Sequence, residues 1–137
     1  MITASEIMTR HVVFIDPEAP VEEAIELMLR HGVSGLPVVN SCGELLGVIT
    51  EFDILDIIND PDNERCMVFH FMTRDPEVVE ANTPLFDLAA RFQARSVRRY
   101  PVVDNGLLVG IISRRELIRF VHDVRAAVRQ RCEAAPA

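Results

Sequence analysis

Two four-residue runs hold the chain's most suggestive polar chemistry: Thr50-Glu51-Phe52-Asp53 and Ser113-Arg114-Arg115-Glu116. In each, a hydroxyl and a carboxylate stand three residues apart, a spacing that one helical turn closes into a single polar cluster. A carboxylate accepts two hydrogen bonds. The same spacing is also a helix capping box, in which both side chains satisfy free N–H groups at a helix start. Capping is one reading of both pairs, Thr50 with Asp53 and Ser113 with Glu116. A helix start also favours anions.

Cationic chemistry is concentrated in the second half. All 14 basic residues are arginine. Residues 1–70 carry 13 acids and 3 arginines (net −10), and residues 71–137 carry 8 acids and 11 arginines (net +3). Arg98 and Arg99 are adjacent, and Arg114 opens the second polar run. A guanidinium grips phosphate oxygens in pairs, so these three are candidates for an anionic ligand, with solvated surface arginines as the alternative.

Other chemistries find little support. The net charge of −7 argues against a nucleic-acid binder, which draws most of its affinity from neutralising phosphates. Cys42, Cys66 and Cys132 are odd in number and widely spaced, so they read as free thiols. Cys66 and His70 lack further nearby ligands, which makes metal binding an unfavoured reading. There is no G-x-x-x-x-G-K-[ST] loop, no G-x-G-x-x-G turn and no nucleophile with an evident base, so no catalytic residues are expected. No apolar run reaches the roughly 18 residues of a membrane span, and Met1 to Arg10 lack a signal peptide's pattern; the expected location is the cytoplasm.

The elements that must hold these residues occur twice. Met8-Thr9-Arg10 matches Met72-Thr73-Arg74, Pro20 matches Pro84, Val33 matches Val97, and Pro37-Val38-Val39 matches Pro101-Val102-Val103. After a one-residue shortening, Gly43, Leu45, Gly47 and Ile49 match Gly106, Leu108, Gly110 and Ile112. The shortening falls between Asn40-Ser41-Cys42-Gly43 and Asp104-Asn105-Gly106, both of which are turn chemistry. Apolar runs at 36–39 with 45–49, and at 100–103 with 107–112, predict two hairpins. Pro37 and Pro101 should start strands or lie at edges.

Before each hairpin, Val21, Ala24, Ile25 and Met28, and then Leu85, Leu88, Ala89 and Phe92, fall at helical spacing. Pro20 and Pro84 suit the first helical position, with Thr83 as an N-cap. After each hairpin the two polar runs open further helices, the second running to about Arg131. Each copy thus reads strand, helix, strand, strand, helix. Asn59-Asp60-Pro61-Asp62-Asn63-Glu64 reads as a linker inside one globule, whose 49% hydrophobic content can fill a sizeable core.

The ordered set of a Met-Thr start, a helix, a hydrophobic-Pro-Val-Val strand, an Asn/Gly turn and Gly-hydrophobic-hydrophobic-Ser/Thr-x-x-Asp/Glu resembles the cystathionine beta-synthase (CBS) domain, twice. The resemblance covers residues 5–58 and 69–121, leaving 59–68 as linker and 122–137 as a C-terminal helix extension and tail. It implies an α/β (α+β) fold of tandem CBS domains packed as one pseudo-twofold unit, with two units forming a homodimer.

It also implies an adenosine-containing ligand between the copies: AMP, ADP, ATP or S-adenosylmethionine. By the resemblance, Thr50 and Asp53 would hold ribose, with Ser113 and Glu116 as a departing second pair because of the extra methylene. Leu36, Pro37, Tyr100 and Pro101 would meet adenine through the main chain, and Arg98, Arg99 and Arg114 would meet phosphate. Copy one has Ser34 and Gly35 where copy two has Arg98 and Arg99, so phosphate binding should be lopsided, and ribose and guanidinium chemistry need not share one cleft. The expected function is a non-catalytic, energy-sensing regulatory module that requires no cofactor and signals to another protein chain. A ligand-independent dimerisation scaffold is the alternative.

Overall fold

Turn chemistry fixes the two hairpins. Asn40 Oδ1 accepts from the N–H groups of Cys42 (3.0 Å) and Glu44 (2.9 Å), which folds the first turn on itself. In the second, Asn105 (φ 52°) and Gly106 (φ 80°) both occupy the left-handed region that a two-residue hairpin loop requires. The computed structural model describes residues 1–59 and 67–134, so most of the 59–68 linker, Cys66 and the tail 135–137 lie outside the described residues.

Chain order is α1 (Ala4–Ile7), α2 (Val21–His31), β1 (Gly35–Val39), β2 (Leu45–Thr50), α3 (Glu51–Ile58), α4 (Val68–Phe71), β3 (Thr73–Arg74), β4 (Val79–Glu80), α5 (Leu85–Ala94), β5 (Arg99–Asp104), β6 (Leu107–Ser113) and α6 (Arg114–Ala134). One sheet has the order β1-β2-β3 and the other β4-β5-β6. Both hairpins are antiparallel, and β4 lies parallel to β5. The hairpin tips meet: the Leu45 N–H donates to the Gly106 carbonyl and the Leu108 N–H to the Gly43 carbonyl, each at 3.1 Å.

The two copies exchange their opening segments. β3, at the start of copy two, pairs with β2 of copy one. Reciprocally, Thr9 of copy one exchanges two 2.9 Å backbone hydrogen bonds with Ile111 in β6. The Ala4 N–H donates to the Thr83 carbonyl and the Val68 N–H to the Ala19 carbonyl. Two cores result. One joins Ala4 and Met8 to Leu88, Phe92, Tyr100 and Ile112; the other joins Val68 to Ala24, Met28, Leu36 and Ile49. Each Val, Leu, Ile, Phe or Met side chain among them contributes roughly 1.5–3 kcal/mol on full burial. The repeat units of the sequence are therefore not the packing units.

Several local expectations change. Pro20 and Pro84 are the N-caps of α2 and α5, one position earlier than expected, and Thr83 precedes the cap. Each proline's carbonyl accepts the first helical N–H, from Glu23 (3.0 Å) or Leu88 (3.1 Å), and an N-cap needs no N–H of its own. Pro37 lies inside β1, an edge strand as expected, whereas Pro101 lies inside β5, the central strand of its sheet. Beside Pro101 the neighbouring β4 covers only Val102 and Val103, so no ladder bond to β4 is lost. In copy one the opening strand is reduced to isolated bridges at Thr9 and Ile15.

Candidate functional site

A cleft of about 860 Å³ opens between the two hairpins. Its floor is the start of β1 and of β5, where Leu36, Pro37 and Pro101 are buried. Its flanks are the beginnings of α3 and α6, with Thr50, Ser113 and Glu116, and its third side is the crossing segment Thr9 to Val13. Exposed Arg98 and Arg99 stand on the β5 side, opposite Ser34 and Gly35.

The helix starts explain the hydroxyl and carboxylate pairs. Thr50 is the N-cap of α3 and forms a reciprocal capping box with Asp53. The Asp53 carboxylate accepts from the Thr50 N–H (2.8 Å), the Thr50 hydroxyl (3.0 Å) and the Thr73 hydroxyl (3.1 Å). At the equivalent place Glu116 accepts from the Ser113 N–H (2.6 Å), the Ser113 hydroxyl and the Thr9 hydroxyl (2.9 Å). The extra methylene of Glu116 thus leaves the pattern intact. Each carboxylate caps its own helix and ties down the threonine that crosses over from the other copy.

Burial pulls the Glu116 carboxyl upward, but hydrogen bonds from the Ser113 and Thr9 hydroxyls and from the Ser113 and Glu116 backbone outweigh it. They hold the group below its ordinary value.

Three predicted residues lie outside the cleft walls. Asp53 faces Thr73. Tyr100 is fully buried, its ring tilted against Phe92 and covered by the Arg91 guanidinium at 4.4 Å. The Arg114 guanidinium turns to the end of α5, donating to the carbonyls of Phe92 (3.2 Å) and Arg95 (3.1 Å), so it closes a helix terminus. Arg115, one residue on and about 100° around the helix, takes its place in the wall.

Thr50 shares this cleft with Arg98 and Arg99, so hydroxyl and guanidinium chemistry do meet. The wall carries three arginines, Arg98, Arg99 and Arg115, and two carboxylates, Glu51 and Glu116, and both helix starts add positive potential. The arrangement suits a ligand with an apolar planar part over the prolines and an anionic part at the guanidiniums. Thr9, His11 and Arg115 are wall residues that sequence reasoning did not assign. Thr9 stands in the repeated Met-Thr-Arg motif, which could have flagged it.

Among the described residues no group of three or more His, Cys, Asp or Glu could hold a metal ion, and no helix is long and apolar enough to cross a membrane.

Comparison with known proteins points the same way. The family model for the CBS domain matches residues 4–60 and 68–123. An uncharacterized protein of Methanocaldococcus jannaschii, MJ1225, is 35% identical over 116 residues, which make up 85% of this chain and 41% of that protein. The CBS domain-containing protein YhcV of Bacillus subtilis is 31% identical over 114 residues, 82% of this chain and 81% of that protein. The crystal structure of CBSX2 in complex with AMP is 30% identical with a TM-score of 0.80, covering 91% of this chain and 99% of that one.

Proposed function

The chain belongs to the CBS domain family, as a tandem pair of these domains, and on that premise we propose that it is a non-catalytic regulatory module that binds an adenosine phosphate between its two copies. The observation that carries this reading is the shared cleft: eight of the expected ligand residues (Leu36, Pro37, Thr50, Arg98, Arg99, Pro101, Ser113 and Glu116) line one cavity together with Arg115. Three guanidiniums favour AMP, ADP or ATP over S-adenosylmethionine, which has no phosphate. The AMP complex of the similar CBSX2 supports the ligand class. A ribose here meets Glu116, taking the places of the Ser113 and Thr9 hydroxyls.

Binding would shift the packing of the two copies by the ligand's difference in affinity between states. Because the opening segments cross between copies, the cleft touches both cores, which suits energy sensing reported to a partner protein. As part of this proposal the chain would act in the cytoplasm as a homodimer. Calorimetric titration with AMP, ADP, ATP and S-adenosylmethionine tests the reading: saturable binding of a phosphate-bearing ligand supports it, and heats of dilution alone for all four refute it.

A second reading, the ligand-independent dimerisation scaffold, is favoured by one observation. Asp53 and Glu116 both already serve as caps and crossing ties, so neither depends on a ligand for its place. A dimer whose melting temperature ignores every nucleotide would select it.

A further inference from the structure

Only one of the two crossing threonines stands in the cleft. Thr9 arrives from copy one, and its hydroxyl donates to Glu116 Oε1 at 2.9 Å. Thr73 arrives from copy two and donates to Asp53 at 3.1 Å, but neither of these two lines the cavity, whereas Thr9, Ser113 and Glu116 all do. The segment that carries Thr9 bridges the two cores. Met8, on one side of it, is buried in the copy-two core, and Val13, on the other, packs against the copy-one core.

The Glu116 carboxylate has little capacity left. Oε2 accepts from the Ser113 N–H (2.6 Å) and from the Ser113 hydroxyl, and Oε1 accepts from the Thr9 hydroxyl. A carboxylate offers about four lone-pair positions in all, so a single place remains, on Oε1. A ribose brings two vicinal hydroxyls, and both are accepted only if protein hydroxyls give way. The Ser113 hydroxyl also accepts from the Arg115 N–H (3.2 Å), so it keeps a partner within its own helix start. Departure of the Thr9 hydroxyl breaks a side-chain link between the copies.

We infer that Thr9 sets the ligand affinity of this cleft by competing with the ribose for Glu116, and that ligand entry unties the segment from Thr9 to Val13 from copy two. This rests on the adenosine-phosphate reading above and adds the element that responds to binding. While Thr9 occupies Glu116 the diol cannot, so apparent affinity is lowered by the small fraction of molecules in which that bond is open. The response is one-sided. The Thr73 tie lies outside the cavity and stays made, while the backbone pairing of Thr9 with Ile111 and the buried Met8 keep the first segment docked, so it loosens without detaching.

Titration calorimetry of AMP, ADP and ATP into the whole chain and three variants tests this. Thr9→Val keeps the branched shape and lacks the hydroxyl; it should tighten binding by about tenfold, the size of one hydrogen bond to a charged group. Thr9→Ser, which retains a hydroxyl, should return affinity toward the native value, and Thr73→Val, which loses the tie outside the cleft, should leave it unchanged. A threonine that merely supported the cleft wall would lose affinity on Thr9→Val, so the sign separates the two roles. Amide hydrogen exchange at residues 9 and 111 reads the loosening directly. Without ligand, Thr9→Val should exchange faster than the native chain, and saturating nucleotide should abolish that difference. Native or weaker affinity in Thr9→Val, or an exchange difference that persists in the bound chains, overturns the competition while leaving adenosine-phosphate binding intact. Heats of dilution alone for every nucleotide and every chain overturn both.

Discussion

Arg98 and Arg99 occupy the places where copy one has Ser34 and Gly35, and all four line the cleft. The difference makes the cavity electrostatically one-sided and leads to a direct prediction. A hydrogen bond to a charged group contributes about 1.5–3 kcal/mol, so Arg98→Ala/Arg99→Ala should weaken AMP binding roughly tenfold to a hundredfold with little change in melting temperature. Titration calorimetry beside a melting curve separates the two effects. Arg114→Ala should act the other way round, loosening the α5 terminus and leaving affinity unchanged.

Glu116 supports a second residue-scale prediction. Its carboxyl is held below its ordinary value in the folded chain, so its stabilising contribution is complete above the unfolded-state pKa and is lost as pH falls through the lowered folded value. Melting curves of the native chain and Glu116→Gln should therefore converge on acidification through the carboxylate range and separate toward neutrality. A constant separation at all pH values would remove the proposed charge dependence.

At the scale of elements, the glycines of the second hairpin strands show why the opening segments can cross. A Cβ on Gly47 would stand 2.5 Å from the Thr73 carbonyl oxygen, and one on Gly110 would stand 2.9 Å from that of Thr9. Gly47→Ala should push β3 off the sheet edge and cost on the order of 1–3 kcal/mol, the range for overpacking, measured as a fall in the urea midpoint. No change would mean that β3 is not held at this point.

The hairpins, the four long helices and the polar runs at the helix starts were legible in the sequence, because turn residues and apolar spacing are local signals. The crossing of Thr9 and Thr73 was not, because a repeat looks the same whichever copy its first segment packs against. Helical phase hid the exchange of Arg114 for Arg115, since two adjacent arginines at a helix start point about 100° apart. Tyr100, which the resemblance has meeting adenine through its main chain, buries its ring in the core beside Phe92, a contact between separate elements that local sequence signals do not carry.

On the scale of the whole molecule, two cores each borrow a segment from the other copy, and the cleft lies where the borrowed strands, the hairpins and two helix starts converge. Anything bound there touches both copies at once, so ligand affinity and overall stability should be linked. Arg98, Arg99 and Arg115 all line this cleft, which is why the proposed ligand is assigned to it.

The most direct test of adenosine-phosphate binding is thermal unfolding of the native chain with AMP, ADP, ATP and S-adenosylmethionine, each beside a ligand-free control. A ligand at 100 times its dissociation constant stabilises the folded state by about 2.7 kcal/mol. The account predicts a rise in melting temperature with at least one adenosine phosphate, reduced in Arg98→Ala/Arg99→Ala. Melting temperatures unchanged by all three phosphates would contradict it.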